Sequence, residues 1–424
     1  MRFVQLTESA YTKFTERQDR MSFTQLPEYA ATRRDQGVDV ALVGVVDGDP
    51  ERLLAAAVVT YQPWKRLFKR ANITFGPTFE EYSSDIERTF YEGLLEFVKR
   101  DKTIVSVRVS PPTIRRHYDD VTPGDETIEA KNVDRLMGEL GGHRLTLDLF
   151  ERPDLPARFS YVKNIDGMDF AAAHKSTGQQ VRTAFNRKGT NGVEVRFASP
   201  HEIHILEDVL NHTAERSEMP DISASQIDYY SSLASHLGKD KAFFPVAVLH
   251  TAKYLDQIEE ERTEINAKLE DFAQRAAGLE AEGKALGKKQ RNQMKELESR
   301  LAVLAKREAE TREVQAENGD EVILAASMFV ASPNELTYMV SGAYSEFNSY
   351  YGIYLIHRDM FEWATANDVK IYNFYGISGD FTDEASDAGV LHFKRQFVGD
   401  VEEYVGTYDL PVRPTLAKAL GALD

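Results

Sequence analysis

The sequence predicts an α/β fold made of one duplicated unit, with a helical hairpin inserted into the second copy. Three observations lead there: a strand–strand–strand–helix–strand order that occurs twice, a near-constant offset between the copies, and a heptad seam where that offset breaks. In the first copy, VALVGVV (40–46) and LLAAAVVTY (53–61) flank the Asp-Gly loop DGDPE (47–51) and read as a β-hairpin. ANITFGP (71–77) reads as a third strand, IERTFYEGLLEFVKR (86–100) as an amphipathic helix and TIVSVRVSP (103–111) as a fourth strand. The second copy repeats the order with FFPVAVLH (243–250), EVILAASMFV (321–330), LTYMVSGAY (336–344), IYLIHRDMFEWATAND (353–368) and VKIYNFYG (369–376). Gly76 and Gly342 are 266 residues apart, and so are Val105 and Ile371. Between the first strands the offset is only about 205, so about 60 residues enter where the first copy has DGDPE.

Those inserted residues carry their own pattern. From Leu255, seam positions fall at Ile258, Arg262, Ile265, Leu269, Phe272, Ala276 and Leu279. Steps of three and four residues are the signature of a coiled coil. Gly278, Gly283 and Gly287 break the run, which resumes at Met294, Leu297, Leu301 and Leu304. The expectation is an antiparallel coiled-coil arm over 252–316. The remaining chain divides into a first domain over 1–155 and a second over 156–251 plus 317–399. The tail, about 400–424, is expected to pack back on the first domain.

Composition bounds the chemistry. Hydrophobic residues make up 42% of 424 residues, enough for packed cores rather than disorder. The absence of cysteine excludes disulfides, thiolate metal sites and cysteine nucleophiles. The N-terminus lacks an apolar signal core, and no run approaches the roughly 20 apolar residues of a membrane helix. A cytoplasmic protein is expected, with peripheral contact at the inner face of the plasma membrane left open. The net charge of −17 repels nucleic acid, so DNA is not an expected partner. An RNA partner would need a local basic patch.

Several chemistries are absent. HEIH (201–204) spaces its histidines three apart, not the four of a zinc-protease helix, so no metal site is expected. There is no G-x-S-x-G elbow, no phosphate loop and no G-x-G-x-x-G after a strand, so no cofactor is expected. The informative stretch is NFYGISGDFTDEASDAGVLHFKRQFVGD (373–400). Its strand would release Gly376, Gly379 and Asp380 at the C-terminal end, where open α/β sheets bind ligands. Lys394 follows, between Phe393 and Phe397. Either its ammonium is partly desolvated and placed to stabilise an oxyanion, or the phenylalanines form one helix face and Lys394 points to water. Two basic patches stand out: Arg182, Arg187 and Lys188 within 174–197, and Lys284, Lys288, Lys289 and Arg291 around the turn of the arm. Each reads equally as a phosphate contact or as a solvated face. Arg216, Tyr229 and Tyr230 suggest a polar ligand site, with Tyr338 and Tyr344 facing the same region.

Together these pieces resemble one family, the Fem-type peptidoglycan-branching aminoacyltransferases. The C-terminal stretch 373–412 resembles the family's C-terminal signature. TAER (213–216) followed by the tyrosine pair 229–230 resembles its central motif. SFTQLPEYAATRR (22–34) is similar to its N-terminal segment, and QQVRTAFNRKGTNGVEV to its basic helix-to-strand entry. The resemblance spans nearly the whole chain. It implies two GNAT-like (acetyltransferase-like) domains and a coiled-coil arm. It implies transfer of Ala, Ser or Gly from aminoacyl-tRNA to a stem-peptide amine of lipid II or UDP-MurNAc-pentapeptide. In that reaction Lys394, with Phe393 beside it, matches the group that stabilises the oxyanion. Arg216 matches an arginine on the acceptor phosphates, and Tyr338 and Tyr229 or Tyr230 fall near acceptor-binding tyrosines. Tyr344 and Arg395 join the substrate-binding candidates, and Asp380 is the candidate proton acceptor, with assistance by the RNA or the substrate as the alternative. Where the family often has an acceptor-contacting lysine, this chain has Arg33 and Arg34. The competing readings are an acyl-CoA-dependent N-acyltransferase on the same scaffold and a non-catalytic coiled-coil scaffold.

Overall fold

The computed structural model describes residues 1–145, 155–216 and 222–422, with Arg216 described in its backbone only. The first half contains β1 (Arg2–Gln5), α1 (Glu8–Thr15), α2 (Pro27–Asp35), β2 (Asp39–Asp47), β3 (Arg52–Trp64), β4 (Phe68–Thr74), α3 (Ser84–Val98), β5 (Ile104–Ser110), β6 (Ile114–Asp119) and α4 (Ile128–Glu139). The second contains β7 (Phe159–Asn164), α5 (Gln179–Phe185), β8 (Val193–Phe197), α6 (Ile203–Arg216), α7 (Ala224–Leu237) and β9 (Pro245–His250). Two long helices follow, α8 (Thr251–Ala281) and α9 (Lys288–Asn318). The chain ends with β10 (Glu321–Ser332), β11 (Glu335–Ala343), α10 (Gly352–Ala366), β12 (Ile371–Ile377), α11 (Ala388–Arg395), β13 (Asp400–Tyr404), β14 (Tyr408–Pro411) and α12 (Pro414–Ala419).

The repeat appears as matching topology. β2 and β3 pair as a hairpin, β4 adds antiparallel to β3, and α3 carries the chain to β5, parallel to β4. β9, β10 and β11 pair antiparallel in turn, and α10 leads to β12, parallel to β11. A parallel neighbour needs such a crossover, whereas hairpins need only short turns. β5 is buried at every position, and α3 lays Phe90, Tyr91, Leu94 and Val98 on this sheet. α10 lays Leu355, Ile356, Met360 and Phe361 on the other.

The two sheets exchange strands. The first runs β1-β2-β3-β4-β5-β14, and the second β8-β9-β10-β11-β12-β7-β13-β6. Thus β6, close behind β5 in sequence, joins the second sheet, while the late strand β14 pairs with β5 in the first. The tail therefore divides, β13 going to one sheet and β14 to the other. The β5–β14 junction is locked by Arg108, which donates from Nε and Nη2 to Asp409 at 2.8 and 2.7 Å. Asp409 is fully buried, and Arg70 stands 3.9 Å from it. Arg20, in the segment after α1, donates to Glu335 at 2.6 Å and to both oxygens of Glu402 at 2.9 and 2.8 Å.

α8 and α9 are 31 residues each and run side by side in opposite directions. Arg300 pairs bidentately with Glu261, and Arg262, on the expected seam, pairs with Glu308 across the two helices. Ile258, Ile265 and Leu304 are buried between them, and Leu269, Leu297 and Leu301 pack alongside. The hairpin rises from the β9–β10 turn, where the amide of Thr251 donates to the Asp320 carbonyl at 2.9 Å.

Removing one partner of a buried ion pair strands the other charge. Arg108→Met should destabilise the fold by about 3 kcal/mol, the low end of the range because Arg70 stays near Asp409. Urea unfolding checks this, and Arg108→Met with Asp409→Leu should regain most of the loss.

Candidate active site

The site begins where two parallel strands part. β11 and β12 pair only over Glu335–Thr337 and Ile371–Asn373. In the first sheet, β4 and β5 stay paired out to Thr74 and Ser110. Two local features open the second pair. β12 kinks at Tyr375, whose φ of 64° is left-handed, and its amide is tied back to the Asn373 side-chain oxygen at 2.7 Å. A tyrosine in that region is strained and has to be held by its surroundings. β11 carries a bulge at Met339, where its register against β10 steps from Phe329↔Tyr338 to Met328↔Val340. The resulting cleft, about 480 Å³, is lined by Tyr338, Ser341, Phe374, Gly376, Asp387 and Lys394 among others.

Lys394 closes the cleft from α11. Its Nζ donates to the Gly376 carbonyl at 2.6 Å and lies 3.3 Å from the Tyr375 carbonyl, and the residue is 5% exposed. The ammonium is thus neither in water nor between the two phenylalanines: it reaches back to the kinked end of β12. Phe393 and Phe397 do share a face, at 5.3 Å between rings, packed against Tyr354 and His357. The start of α11 is tied down by Asp387, which accepts from the Ser378 amide at 2.7 Å and its hydroxyl at 2.6 Å.

His357 of α10 is completely buried in the same cluster. Its Nδ1 is 2.8 Å from the Tyr372 hydroxyl, and its Nε2 has no hydrogen-bond partner among the described residues. Burial, helped by the field of Lys394, drives the imidazole down to about 3. The imidazole therefore adds no positive charge to this corner at neutral pH. The imidazole ring also touches Tyr338, 4.5 Å between centroids, whose hydroxyl is bonded to Ser341 in the cleft.

A second cavity, about 310 Å³, opens where the two sheets meet. Phe23, Phe75, Phe79 and Tyr82 come from the first half, and Glu335, Asn373 and Tyr375 from the second. Glu335 forms a polar floor, accepting from Asn373 at 2.9 Å, Thr337 at 3.3 Å and Arg20. Tyr375 lines both cavities, so its kink is the partition between them.

The sequence candidates scatter around this pair of cavities. Lys394 and Tyr338 line the cleft. Arg33 lies in the field of Tyr29 and Tyr229, and Tyr229 also feels Tyr375. Arg33 bonds Gln36 at 2.6 Å through Nη1, while its Nε is buried without a partner among the described residues. Arg34 pairs with Glu8 on the surface. Tyr230 packs on Tyr229. Tyr344 does not share a face with Tyr338: the bulge at Met339 reverses the alternation, and Tyr344 stacks near His212 instead. Asp380 is absorbed in its own turn, accepting from the amide and hydroxyl of Thr382 at 3.0 and 2.8 Å. Those donors hold its carboxyl below the usual range. Arg395 clasps Asp120 of the first half. Arg182 bonds Gln179 and the Thr177 carbonyl, and Lys188 pairs with Asp359. Arg187 faces the base of the helical hairpin beside Glu261. Lys284, Lys288, Lys289 and Arg291 are exposed at its turn, Lys284 paired with Glu282. The Arg216 side chain lies outside the described residues. Asp387, Ser341, His357, Arg20 and Glu335 were not read from the sequence. Of these, only Asp387 carried a usable signal, an Asp just before a helical run.

A two-sheet α/β scaffold with a lysine-closed cleft between splayed strands defines the class, and comparison places it. The chain belongs to the FemAB family, whose model matches residues 6–424. Aminoacyltransferase FemA of Staphylococcus epidermidis is 27% identical over 415 residues, covering 97% of this chain and 96% of that one. Aminoacyltransferase FemA of Staphylococcus aureus is 27% identical over 440 residues, covering 100% and 98%. The crystal structure of FemX shares the fold, with a TM-score of 0.78 at 15% identity over 99% of both chains.

The buried histidine sets a pH response. Its folded value lies below its unfolded value of about 6.5, so its contribution is complete above about 6.5 and is lost as pH falls towards 3. Between pH 7 and pH 4 this group should remove roughly 3 kcal/mol of stability. Unfolding titrations over that range should show a shallower fall in His357→Phe than in the parent chain.

Proposed function

We propose that this chain moves an amino acid (Ala, Ser or Gly) from aminoacyl-tRNA to the stem-peptide amine of a peptidoglycan precursor, lipid II or UDP-MurNAc-pentapeptide, and so builds the interpeptide bridge. The observation that carries this reading is the meeting of two cavities at Tyr375, with the Lys394 ammonium at the rim of one of them. The relatives' name as aminoacyltransferases supports it. Two substrates need two approaches to one reacting point, which a single blind pocket does not provide. The aminoacyl ester takes the cleft, and the acceptor takes the cavity at the sheet junction.

The chemistry is short. The acceptor amine attacks the ester carbonyl, a C–N bond forms, and a tetrahedral oxyanion develops. Lys394 stabilises that charge from a site where water is largely excluded. The C–O bond to the ribose then breaks, and the amine's proton ends on the departing hydroxyl. The ester is already activated, which accords with a chain whose sequence offers no nucleotide loop. Asp387, not Asp380, is the carboxylate on the cleft wall, and its two bonds to Ser378 hold the helix bearing Lys394 in place. Arg33, beside Tyr229, is suited to hold acceptor phosphate. The helical hairpin is read as a coiled-coil arm whose turn meets the RNA. Lys288, Lys289 and Arg291 form no ion pair among the described residues, leaving them open to phosphate.

The decisive experiment supplies tRNA charged with labelled Ala, Ser or Gly together with either acceptor. Label should pass to one acceptor, and Lys394→Met should lower the rate at least 100-fold at a temperature where the variant is still folded, although its thermal unfolding falls below the parent's because the Gly376 carbonyl loses its donor. Transfer unaffected in that variant would remove Lys394 from the mechanism. No transfer with any pairing would remove the reading itself. Separately, Lys288→Glu with Lys289→Glu and Arg291→Glu should weaken tRNA binding and flatten its salt dependence by roughly 0.7 to 0.9 log units per lost contact.

A further inference from the structure

One end of the first sheet is basic although the chain as a whole is acidic. Three segments meet there: the β3–β4 turn (64–70), the turn from α3 into β5 (99–103) and the C-terminal helix region (413–420). They hold nine lysines and arginines and one acid, Asp101, in a chain whose net charge is −17. Their proximity is direct. The Lys69 amide donates to the Thr103 carbonyl at 3.0 Å, Arg413 donates to the Lys99 carbonyl at 2.8 Å, and Lys65 bonds the Leu420 carbonyl. Some of these cations are spoken for: Lys69 pairs with Asp39, Lys99 with Glu96, and Lys65 and Arg70 lie over the Trp64 ring. Arg66, Lys102 and Lys418 are exposed and make no ion pair among the described residues.

At the tip of this basic end stands an apolar side chain. Leu67 is 76% exposed, held out by a tight turn in which Lys65 is left-handed and the Phe68 amide donates to its carbonyl at 2.9 Å. Trp64 and Phe68 flank it in the chain and, with Leu416 and Leu420, pack partly buried on Val105, Ala417 and Ala422. Leu67 is thus far more exposed than the two aromatic rings beside it, and Lys65 and Arg70 lie over one of them.

We infer that this end of the first sheet docks on an anionic bilayer surface. An apolar apex enters the acyl boundary, a tryptophan sits at the interfacial level, and lysines and arginines meet acidic headgroups. A nucleic acid would satisfy the cations but would leave Leu67 with no apolar surface to cover, so a membrane fits this surface better than RNA does. The local positive charge also answers a general obstacle, since a chain of net charge −17 is otherwise repelled by an acidic leaflet. The surface includes none of the residues around Lys394, so the inference does not depend on the proposed transfer reaction.

The test uses the full chain with Trp363→Phe, which leaves Trp64 as the sole tryptophan. Vesicles of phosphatidylcholine alone are compared with vesicles containing phosphatidylglycerol, by sedimentation and by Trp64 emission. Binding and a blue shift are expected only with phosphatidylglycerol, declining with salt. Leu67→Ser and, separately, Arg66→Glu should each weaken binding about tenfold, with thermal unfolding unchanged. Equal binding to both vesicle types, or full binding by both variants, would overturn the inference. So would bulk tRNA binding that Arg66→Glu abolishes in the absence of any vesicle binding.

Discussion

The structure turns on how little of β11 and β12 can hydrogen-bond to one another. Three residues of each strand are paired, and then a left-handed tyrosine and a bulge force them apart. The backbone groups released there have to find other partners, because unpaired buried carbonyls are costly. Lys394 meets that need at Gly376, and the strand end and the ammonium thereby fix each other. The cleft, the burial of the lysine and the neutrality of His357 all follow from this separation. In the first sheet the corresponding strands stay paired to Thr74 and Ser110, so among the described residues they do not part in this way. Duplication therefore provided two scaffolds, and the break in pairing made one of them a site.

The duplicated order was legible because hairpins and amphipathic helices announce themselves within short windows. The third and fourth strands of each copy fall within a few residues of where their apolar runs place them. What could not be read is what long-range pairing decides. Nothing local in residues 114–119 says that they leave their own sheet, nor in 408–411 that they cross back. The same holds at the site. Lys394 drew attention by standing between two phenylalanines, yet the residues alone favoured its pointing to water, and only the family resemblance gave it a role. The kink that gives it carbonyl partners sits at a tyrosine, a residue type that carries no turn signal. Tyr344 was misdirected by a single extra residue in β11, since one bulge reverses the facing of everything beyond it. Asp380 and Asp387 look alike in sequence, but one closes its own turn and the other faces the cleft.

Charge is distributed with economy. The chain is acidic overall, yet cations stand together at two places, the turn of the helical hairpin and one end of the first sheet, and a buried lysine closes the cleft. Elsewhere Arg182 of α5 and Lys188 just after it are consumed by oxygen acceptors nearby. A basic run in the sequence is thus a poor guide to a free basic surface. What separates the two is the number of acceptors the fold places within reach.

The exchange of strands between the sheets bears on how the protein is made. The Arg108–Asp409 contact joins positions 301 residues apart. During synthesis the first sheet presents β5 as a bare edge until nearly the whole chain has left the ribosome, and such edges invite wrong partners. Both β13 and β14 lie after residue 399, so a product ending there would lack the strand that joins β6 to the second sheet as well as the one that closes the first. Neither half could be finished before the other, and an incomplete copy would be left with open sheet edges, a form that cellular quality control can distinguish from the completed enzyme.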